Sequence, residues 1–247
     1  GKALARNQAA LADLLWETWT SPRFDELPRL RELVAQMRSH REEAITHHGH
    51  ALALAAATAG LSPVAALNQR WDGLTGLQRL KTLDDTLDDA EALAAFAARL
   101  AQLRDRLQPI PRQLLIVSET ERQEAIAEAL ALHWREGAET LAAPFTLAAP
   151  EPGPSRQGFS VNTQINFCAK AYPTVVPNHP DAPALHVLGD FLRNGYLHRA
   201  IREQGGAYGG GAGYHPDSGA FRFHSYRDPR LAETFADFDR ALDWLQT

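Results

Sequence analysis

A glycine-rich stretch over residues 201–214 constrains the fold of this chain more than any other segment. Six of its fourteen residues are glycine, at positions 205, 206, 209, 210, 211 and 213. Glycine packs nothing and weakens a strand, but it accepts positive φ and lets another chain approach the backbone closely. We therefore predict a surface on which a peptide or other ligand lies against the main chain, with Arg202 and Tyr208 as its polar contacts.

The order of the elements around this stretch bears on whether it binds a nucleotide. A phosphate-binding loop follows a strand and begins a helix, whose N–H groups then meet the phosphate. Here the apolar pattern predicts a helix before the glycines and a strand after them, and Gly-Lys-Ser/Thr does not follow. Nucleotide binding is therefore disfavoured, whereas a purely structural role, as a helix end followed by a bulged strand, stays open.

The residue pattern around the stretch predicts a strand, a helix, a β-hairpin and a helix, over residues 159–171, 181–204, 207–227 and beyond 229. Alternating apolar and polar residues support the first strand and place Cys168 on its polar side. No base is identifiable beside this thiol, so we interpret Cys168 as a bystander and not as a nucleophile. Pro216-Asp217-Ser218-Gly219 is a turn sequence that joins the two hairpin strands.

The first half of the chain is predicted to be mostly helical. Its longest apolar stripe runs over residues 28–59 and ends at Gly60. Asp88 and Thr120 begin capping boxes of two later helices. The short run of branched residues at 113–117 predicts one strand between those helices.

Together these patterns predict an α+β chain that consists of two units. Prolines and glycines without any periodicity mark residues 138–158 as a linker, so residues 1–137 and 159–247 are assigned to separate units. The first residue is Gly1 inside an amphipathic pattern, and a helical pattern is still in progress at Thr247. We therefore expect a piece of a longer protein.

Composition narrows the classes of partner and compartment. The formal net charge of -5 and the absence of a basic cluster give no reason to expect nucleic acid. The sequence has no apolar run of about 18 residues, so we expect no membrane span. A single cysteine excludes an internal disulfide and fits a reducing compartment, for which we expect the cytoplasm.

Four histidines, at positions 40, 47, 48 and 50, raise the question of a metal site. Zinc-binding histidines on a helix usually lie four residues apart with a third ligand elsewhere, and these four lack that spacing. His-x-x-Glu-His is approached from His40, but Ala44 stands in the last position. We interpret the histidines as a polar helix face and predict no metal ligands in this chain.

The end of the predicted hairpin carries a second polar cluster. Arg227 and Asp228 are adjacent and are expected to form an ion pair where the strand ends. Tyr226 or His224 can line a groove beside the glycine-rich strand.

Two blocks of sequence resemble a known family. Residues 202–212 and 221–229, Arg-x-x-Gly-Gly-Ala-Tyr-Gly-Gly-Gly-Ala and Phe-x-Phe-x-Ser-Tyr-Arg-Asp-Pro, resemble the C-terminal half of the insulinase (pitrilysin, M16) metallopeptidases. Within that family they are most similar to the presequence-protease branch, which is subfamily C. Segments 49–53, 59–63 and 71–74 fit the same branch, so the resemblance covers nearly the whole chain.

The resemblance implies a LuxS/MPP-like metallohydrolase fold, in which four homologous α+β units enclose a chamber and helices pack on an antiparallel or mixed sheet. This chain would supply the later part of the third unit and most of the fourth. The family's zinc ligands lie in the first unit, so this chain alone is expected to bind no zinc and to cleave nothing. Peptide substrates and the N-terminal catalytic half of the same protein are the implied partners.

The resemblance also implies roles for individual residues. Arg202 and Tyr208 match the arginine and tyrosine that reach the bound peptide and donate to its carbonyl oxygen as charge develops there. The neighbouring backbone would hold the peptide in extended form, and the substrate-binding positions are Gly205, Gly206, Ala207, Gly209, Gly210 and Tyr226. Two alternatives remain, namely a non-catalytic scaffold or partner subunit of the same fold and a stand-alone peptide-binding module.

Overall fold

A computed structural model describes residues 1–110, 114–134, 146–150, 153 and 155–246. Over these residues the chain is α+β, with helices and a small antiparallel sheet of three strands. The chain forms two compact units, each built from two separate stretches: Gly1–Val34 with Asp84–Phe145, and Ala35–Leu83 with Thr146–Thr247. Most of the predicted linker at 138–158 lies outside the described residues, and the division into units on either side of it stays a prediction.

The first compact unit is helical. It contains α1 (Gln8–Thr20), α5 (Ala90–Leu107) and α6 (Thr120–Trp134). Helices α1 and α6 pack together through Trp16 and Trp134, whose rings meet edge-on at 5.2 Å. The N-terminus of α5 is capped by Asp89, which accepts the Ala92 amide proton at 2.8 Å, so the cap lies one residue later than the sequence predicted.

The predicted strand at 113–117 is not formed over its described part, residues 114–117. Leu115 and Val117 are 90% and 87% exposed. An apolar, branched run becomes a strand only where a neighbouring strand supplies hydrogen bonds. No strand in the described part of the chain pairs with these residues.

The second unit begins with helices. Helix α2 (Leu27–Thr58), which starts in the first unit, confirms the predicted long helix, with a kink at His48 (φ -128, ψ 21). It is followed by α3 (Pro63–Trp71) and α4 (Leu74–Thr86). The hydroxyl of Ser62 caps α3 by accepting the Ala65 amide proton at 3.1 Å.

The C-terminal part of the second unit contains the sheet and its helical layer. The strands are β1 (Ala169–Pro173), β2 (Gly209–His215) and β3 (Ala220–Tyr226), in the antiparallel order β1-β3-β2. Helix α7 (Ala182–Leu192) continues directly as a π-helix (Arg193–Gln204), and α8 (Ala232–Trp244) closes the described fold. The predicted hairpin, the helix over 181–204 and the last helix are therefore confirmed.

The first strand is much shorter than the predicted 159–171. A turn precedes it, since the Thr163 amide donates to Val161 O at 2.9 Å and the Thr163 hydroxyl accepts the Ile165 amide proton at 3.1 Å. Such local bonds compete with a strand ladder. Cys168 was predicted on a polar face but is only 1% exposed. Its carbonyl oxygen accepts the Ser225 amide proton of β3 at 2.9 Å, and its side chain packs in the apolar core.

One face of the sheet packs on the helical layer and forms the core. Its fully buried members are Leu192, Leu197, Ile201, Phe223 and Phe238. Along β3, Phe221, Phe223 and Ser225 are buried. The alternate residues of β3 therefore point to the opposite face of the sheet, which carries the candidate site.

No helix within the described ranges combines the length and the apolarity that crossing a membrane requires.

Candidate functional site

The register of the hairpin places a glycine beside each large side chain on one face. Gly209 lies opposite Tyr226, Gly211 opposite His224 and Gly213 opposite Arg222, and directly opposite residues share a face. We call this surface the glycine face; its members are Gly209, Gly211, Gly213, Arg222, His224 and Tyr226. On this face, strand β2 contributes only glycine backbone, and strand β3 contributes polar and aromatic side chains.

The glycine face is open along part of β2. A Cβ atom added at Gly209 or Gly213 would meet no atom within 4 Å. The opposite side of the same strand is tightly packed, since a Cβ at Gly210 would lie 2.9 Å from Ile201 and one at Gly189 would lie 2.7 Å from the Gly213 Cα. Some glycines are thus required by packing, whereas Gly209 and Gly213 are half-buried and have free space where a side chain would be.

The junction between the π-helix and β2 explains the first glycines of the motif. The Gly206 amide donates to Arg202 O at 3.2 Å, and the Ala207 amide donates to Ile201 O at 3.1 Å. Gly206 has a φ of 79, and a Cβ at Gly205 would overlap the Arg230 guanidinium. Gly205 and Ala207 are buried, so both hold the helix end, and their predicted contact with substrate stays a prediction.

The structure brings Arg202, Tyr208 and Tyr226 together. The Arg202 Nη1 atom donates to the carbonyl oxygen of Tyr208 at 2.5 Å, and its guanidinium lies 5.3 Å from the centre of the Tyr208 ring. The rings of Tyr208 and Tyr226 meet edge-on at 5.7 Å. Arg202 therefore contacts Tyr208, and Tyr208 contacts Tyr226, next to the beginning of β2.

Arg202 and Tyr208 keep functional groups free for a ligand. Tyr208 is 64% exposed. Within the described ranges, the Tyr208 hydroxyl has no hydrogen-bond partner and Arg202 has no carboxylate within 4.0 Å. A guanidinium and a phenol at this place can donate to an oxygen of a bound molecule.

His50 on helix α2 lies next to Tyr226 and His224 and adds an imidazole to the candidate site. Its ring lies 4.9 Å from that of Tyr226 and 5.7 Å from that of His224. The approach depends on Gly49, where a Cβ would overlap the Phe167 ring. Sequence reasoning missed His50 as a site residue, and the glycine beside it was the available signal of close packing.

Burial favours the neutral form of both imidazoles in this cluster. Burial lowers the pKa of His224 to about 4, and interactions with the His50 imidazole and the Arg222 and Arg193 guanidinium groups add to the effect. Burial also lowers the pKa of His50, and His48 contributes. The buried Nδ1 atom of His50 has no partner in the described part of the protein.

The predicted Arg227–Asp228 ion pair is not present. Asp228 is fully buried and accepts hydrogen bonds from the Thr234 hydroxyl at 2.7 Å and the Arg230 amide at 2.9 Å. Arg227 has a φ of 50, in the left-handed region that residues other than glycine rarely adopt. Its guanidinium lies 5.5 Å from the centre of the Tyr226 ring instead.

Neither the histidines of α2 nor the thiol has the surroundings of a catalytic centre. Among the described residues, no three His, Cys, Asp or Glu side chains lie close enough together to hold a metal ion. Burial raises the pKa of the Cys168 thiol, which makes it a poor nucleophile.

Comparison with known proteins places both halves of the chain in one family. Residues 1–83 match the family described as "Peptidase M16-C associated", and residues 156–247 match the "PreP C-terminal domain". A mitochondrial presequence protease from Yarrowia lipolytica is 29% identical over 99% of this chain. Those from Drosophila melanogaster and Emericella nidulans are 30% and 33% identical over 99% and 92% of it.

These alignments cover only part of each relative. The chain spans 25%, 23% and 22% of the lengths of the three proteins, in the same order. All three are named mitochondrial, which points to the mitochondrion and contradicts the expected cytoplasmic location. Cysteine content was a poor guide because it reports the redox state of a compartment and not its identity.

Proposed function

Because this chain belongs to the presequence-protease-like branch of the M16 peptidases, we propose that it is the substrate-binding C-terminal portion of a zinc-dependent metalloendopeptidase. Peptides would be its substrates, and the N-terminal catalytic half of the same protein its partner. The proposal includes a LuxS/MPP-like fold for the intact protein, with a closed chamber that the glycine face lines.

The observation that carries this proposal is the pairing of Arg202 with Tyr208 at the start of the open strand. The hydrogen bond from Arg202 to Tyr208 O fixes the guanidinium beside the phenol. Both side chains can then donate to one carbonyl oxygen of a peptide. Donors that are fixed in advance and aimed at developing negative charge are the strongest single contribution to acyl-transfer catalysis.

The glycine face supports the second half of the proposal, which is recognition of an extended peptide. Strand β2 lies at the edge of the sheet, and the space above its backbone at Gly209 and Gly213 is not filled by a side chain. A peptide can therefore bind through main-chain contacts that tolerate many sequences. The ring of Tyr226 limits the face at the end nearest Arg202 and Tyr208.

Zinc enters the proposal only through the family. Among the described residues, no group of three His, Cys, Asp or Glu side chains is placed to hold a metal ion, and the proposal puts the zinc ligands in the N-terminal catalytic half. Arg202 and Tyr208 are accordingly assigned to positioning the substrate and stabilising charge on it.

The test is the activity of the intact protein with Arg202→Ala or Tyr208→Phe. Each variant is expected to lower kcat/KM for peptide cleavage by about a hundredfold or more, as removal of one donor to a developing oxyanion does. Zinc content and the unfolding midpoint should be unchanged. Full activity in both variants would refute the assigned roles, and a wild-type protein without zinc or peptidase activity would favour the scaffold alternative.

A further inference from the structure

Two arginines at or beside the glycine face, away from its Tyr226 end, have no role in the proposed chemistry. Arg222 is a member of the face, and its neighbours across the strands are Ala171 on β1 and Gly213 on β2. Arg193 begins the π-helix, and its Cδ atom lies 3.5 Å from the position that a Cβ on Gly211 would occupy. The two side chains approach the face from different elements.

Both arginines lack a counter-ion. Over the described ranges, no carboxylate oxygen lies within 4.0 Å of the Arg222 or Arg193 guanidinium. Asp217 contributes to the charge around His215 without bonding to Arg222. Arg222 is partly buried, and burial lowers its pKa, so the folded protein carries a cation that would be more stable with an anion beside it.

Small neighbours leave this cation accessible from the ligand side. Ala171 and Gly213 are too short to cover Arg222, and Gly213 faces open space. His224, beside it on β3, is neutral at physiological pH and supplies no negative charge. The part of the face around Arg222 and Arg193 is thus positively charged, although the whole chain has a net charge of -5.

We propose that Arg222 and Arg193 bind a carboxylate of the peptide that lies on the glycine face, which makes Arg222 a residue that determines specificity. The inference rests on the proposed function. The carboxylate is an acidic side chain or the free C-terminus of the substrate, since both present the same planar anion. A guanidinium binds such a group through two parallel hydrogen bonds, with geometric selectivity that an ammonium lacks.

The test compares matched peptides with the intact protein. One pair differs by Glu or Gln at a single position, scanned along the peptide, and a second pair has a free or an amidated C-terminus. At low salt, wild-type protein is expected to show a kcat/KM about tenfold higher for the charged member of one pair, as one charge-assisted hydrogen bond provides. That preference should weaken as ionic strength rises.

Substitutions of Arg222 test whether the preference for the charged peptide arises at this residue. Arg222→Gln is expected to lower kcat/KM for the charged peptide to the value that the same variant shows for the uncharged one, and an unfolding midpoint close to that of the wild-type protein shows that the variant is folded. Arg222→Lys should retain part of it. Arg199→Gln is the matched control, because Arg199 lies in the cleft formed with Tyr196 and Trp244, away from the glycine face.

The outcomes separate the two proposals. Equal cleavage of both members of every pair by wild-type protein, or a preference that survives Arg222→Gln, overturns the carboxylate subsite and leaves the peptidase proposal intact. No cleavage of any peptide overturns the proposed function, and this inference with it.

Discussion

The contact between Gly189 on α7 and Gly213 on β2 permits a prediction in which the loss of stability depends on which glycine is changed. In Gly189→Ala the new methyl group would lie 2.7 Å from the Gly213 Cα and 3.0 Å from the Ala212 carbonyl oxygen, where ordinary contacts begin at 3.4 Å. Both obstacles are backbone, so α7 and β2 must separate by roughly half an ångström or more, and overpacking of this kind costs about 1–3 kcal/mol.

A second effect opposes the first. Alanine is favoured over glycine inside a helix by about 1 kcal/mol, and Gly189 lies within α7. The expected net change is therefore a loss of up to about 2 kcal/mol in the free energy of unfolding, measured by urea denaturation with circular dichroism. Peptide turnover should also fall, because the displaced strand carries the glycine face.

The matched control is Gly213→Ala on the other side of the same contact. Its methyl group would point into open space, so the free energy of unfolding should change by less than about 0.5 kcal/mol. The KM for peptides should nevertheless rise, because the methyl group occupies the place of the bound backbone. A stabilised Gly189→Ala protein, or equal losses of stability in both variants, would refute this account of the interface.

Two further predictions concern buried polar groups of the second unit. The pKa of His224 is about 4 in the folded protein and has an ordinary value of 6.5, so the unfolded chain binds more protons between these pH values. The free energy of unfolding should therefore fall by up to about 3 kcal/mol as pH drops from 6.5 to 4. Chemical denaturation of His224→Gln should not show this decrease. Asp228→Ala leaves the buried Thr234 hydroxyl and the Arg230 amide without their acceptor and should lower the free energy of unfolding by about 3 kcal/mol. Thr234→Val removes one donor and should lower it by about 1–2 kcal/mol. Equal losses for the two variants in thermal or urea unfolding would contradict this ranking.

Local sequence signals predicted the elements that local interactions determine. The helix that ends at Gly205, the turn at Pro216–Ser218 and the cap at Ser62 each depend on residues within a few positions. The pairing of Arg202 with Tyr208 also spans six positions, so the first half of the candidate site was within reach of the sequence.

The features that sequence reasoning missed depend on distant partners. The segment 114–117 has strand composition but no strand partner in the described part of the chain. The strand predicted from Phe159 begins ten residues later, because a local turn at Thr163 competes with the ladder. His50 joins the site through a contact with β3, and although Gly49 signals close packing, nothing in the local sequence identifies β3 as the partner.

The contact between His50 and Tyr226 has a consequence for how the chain is synthesised and folds. The two residues belong to one compact unit, yet a long part of the other unit is inserted between them in the sequence. On the ribosome, the middle of α2 therefore emerges long before β3. The segment around Gly49 and His50 then lacks its partners Phe167, His224 and Tyr226, which are translated much later. Contacts of such high sequence separation slow folding and prolong exposure to aggregation, so chaperone demand should be concentrated in this helix.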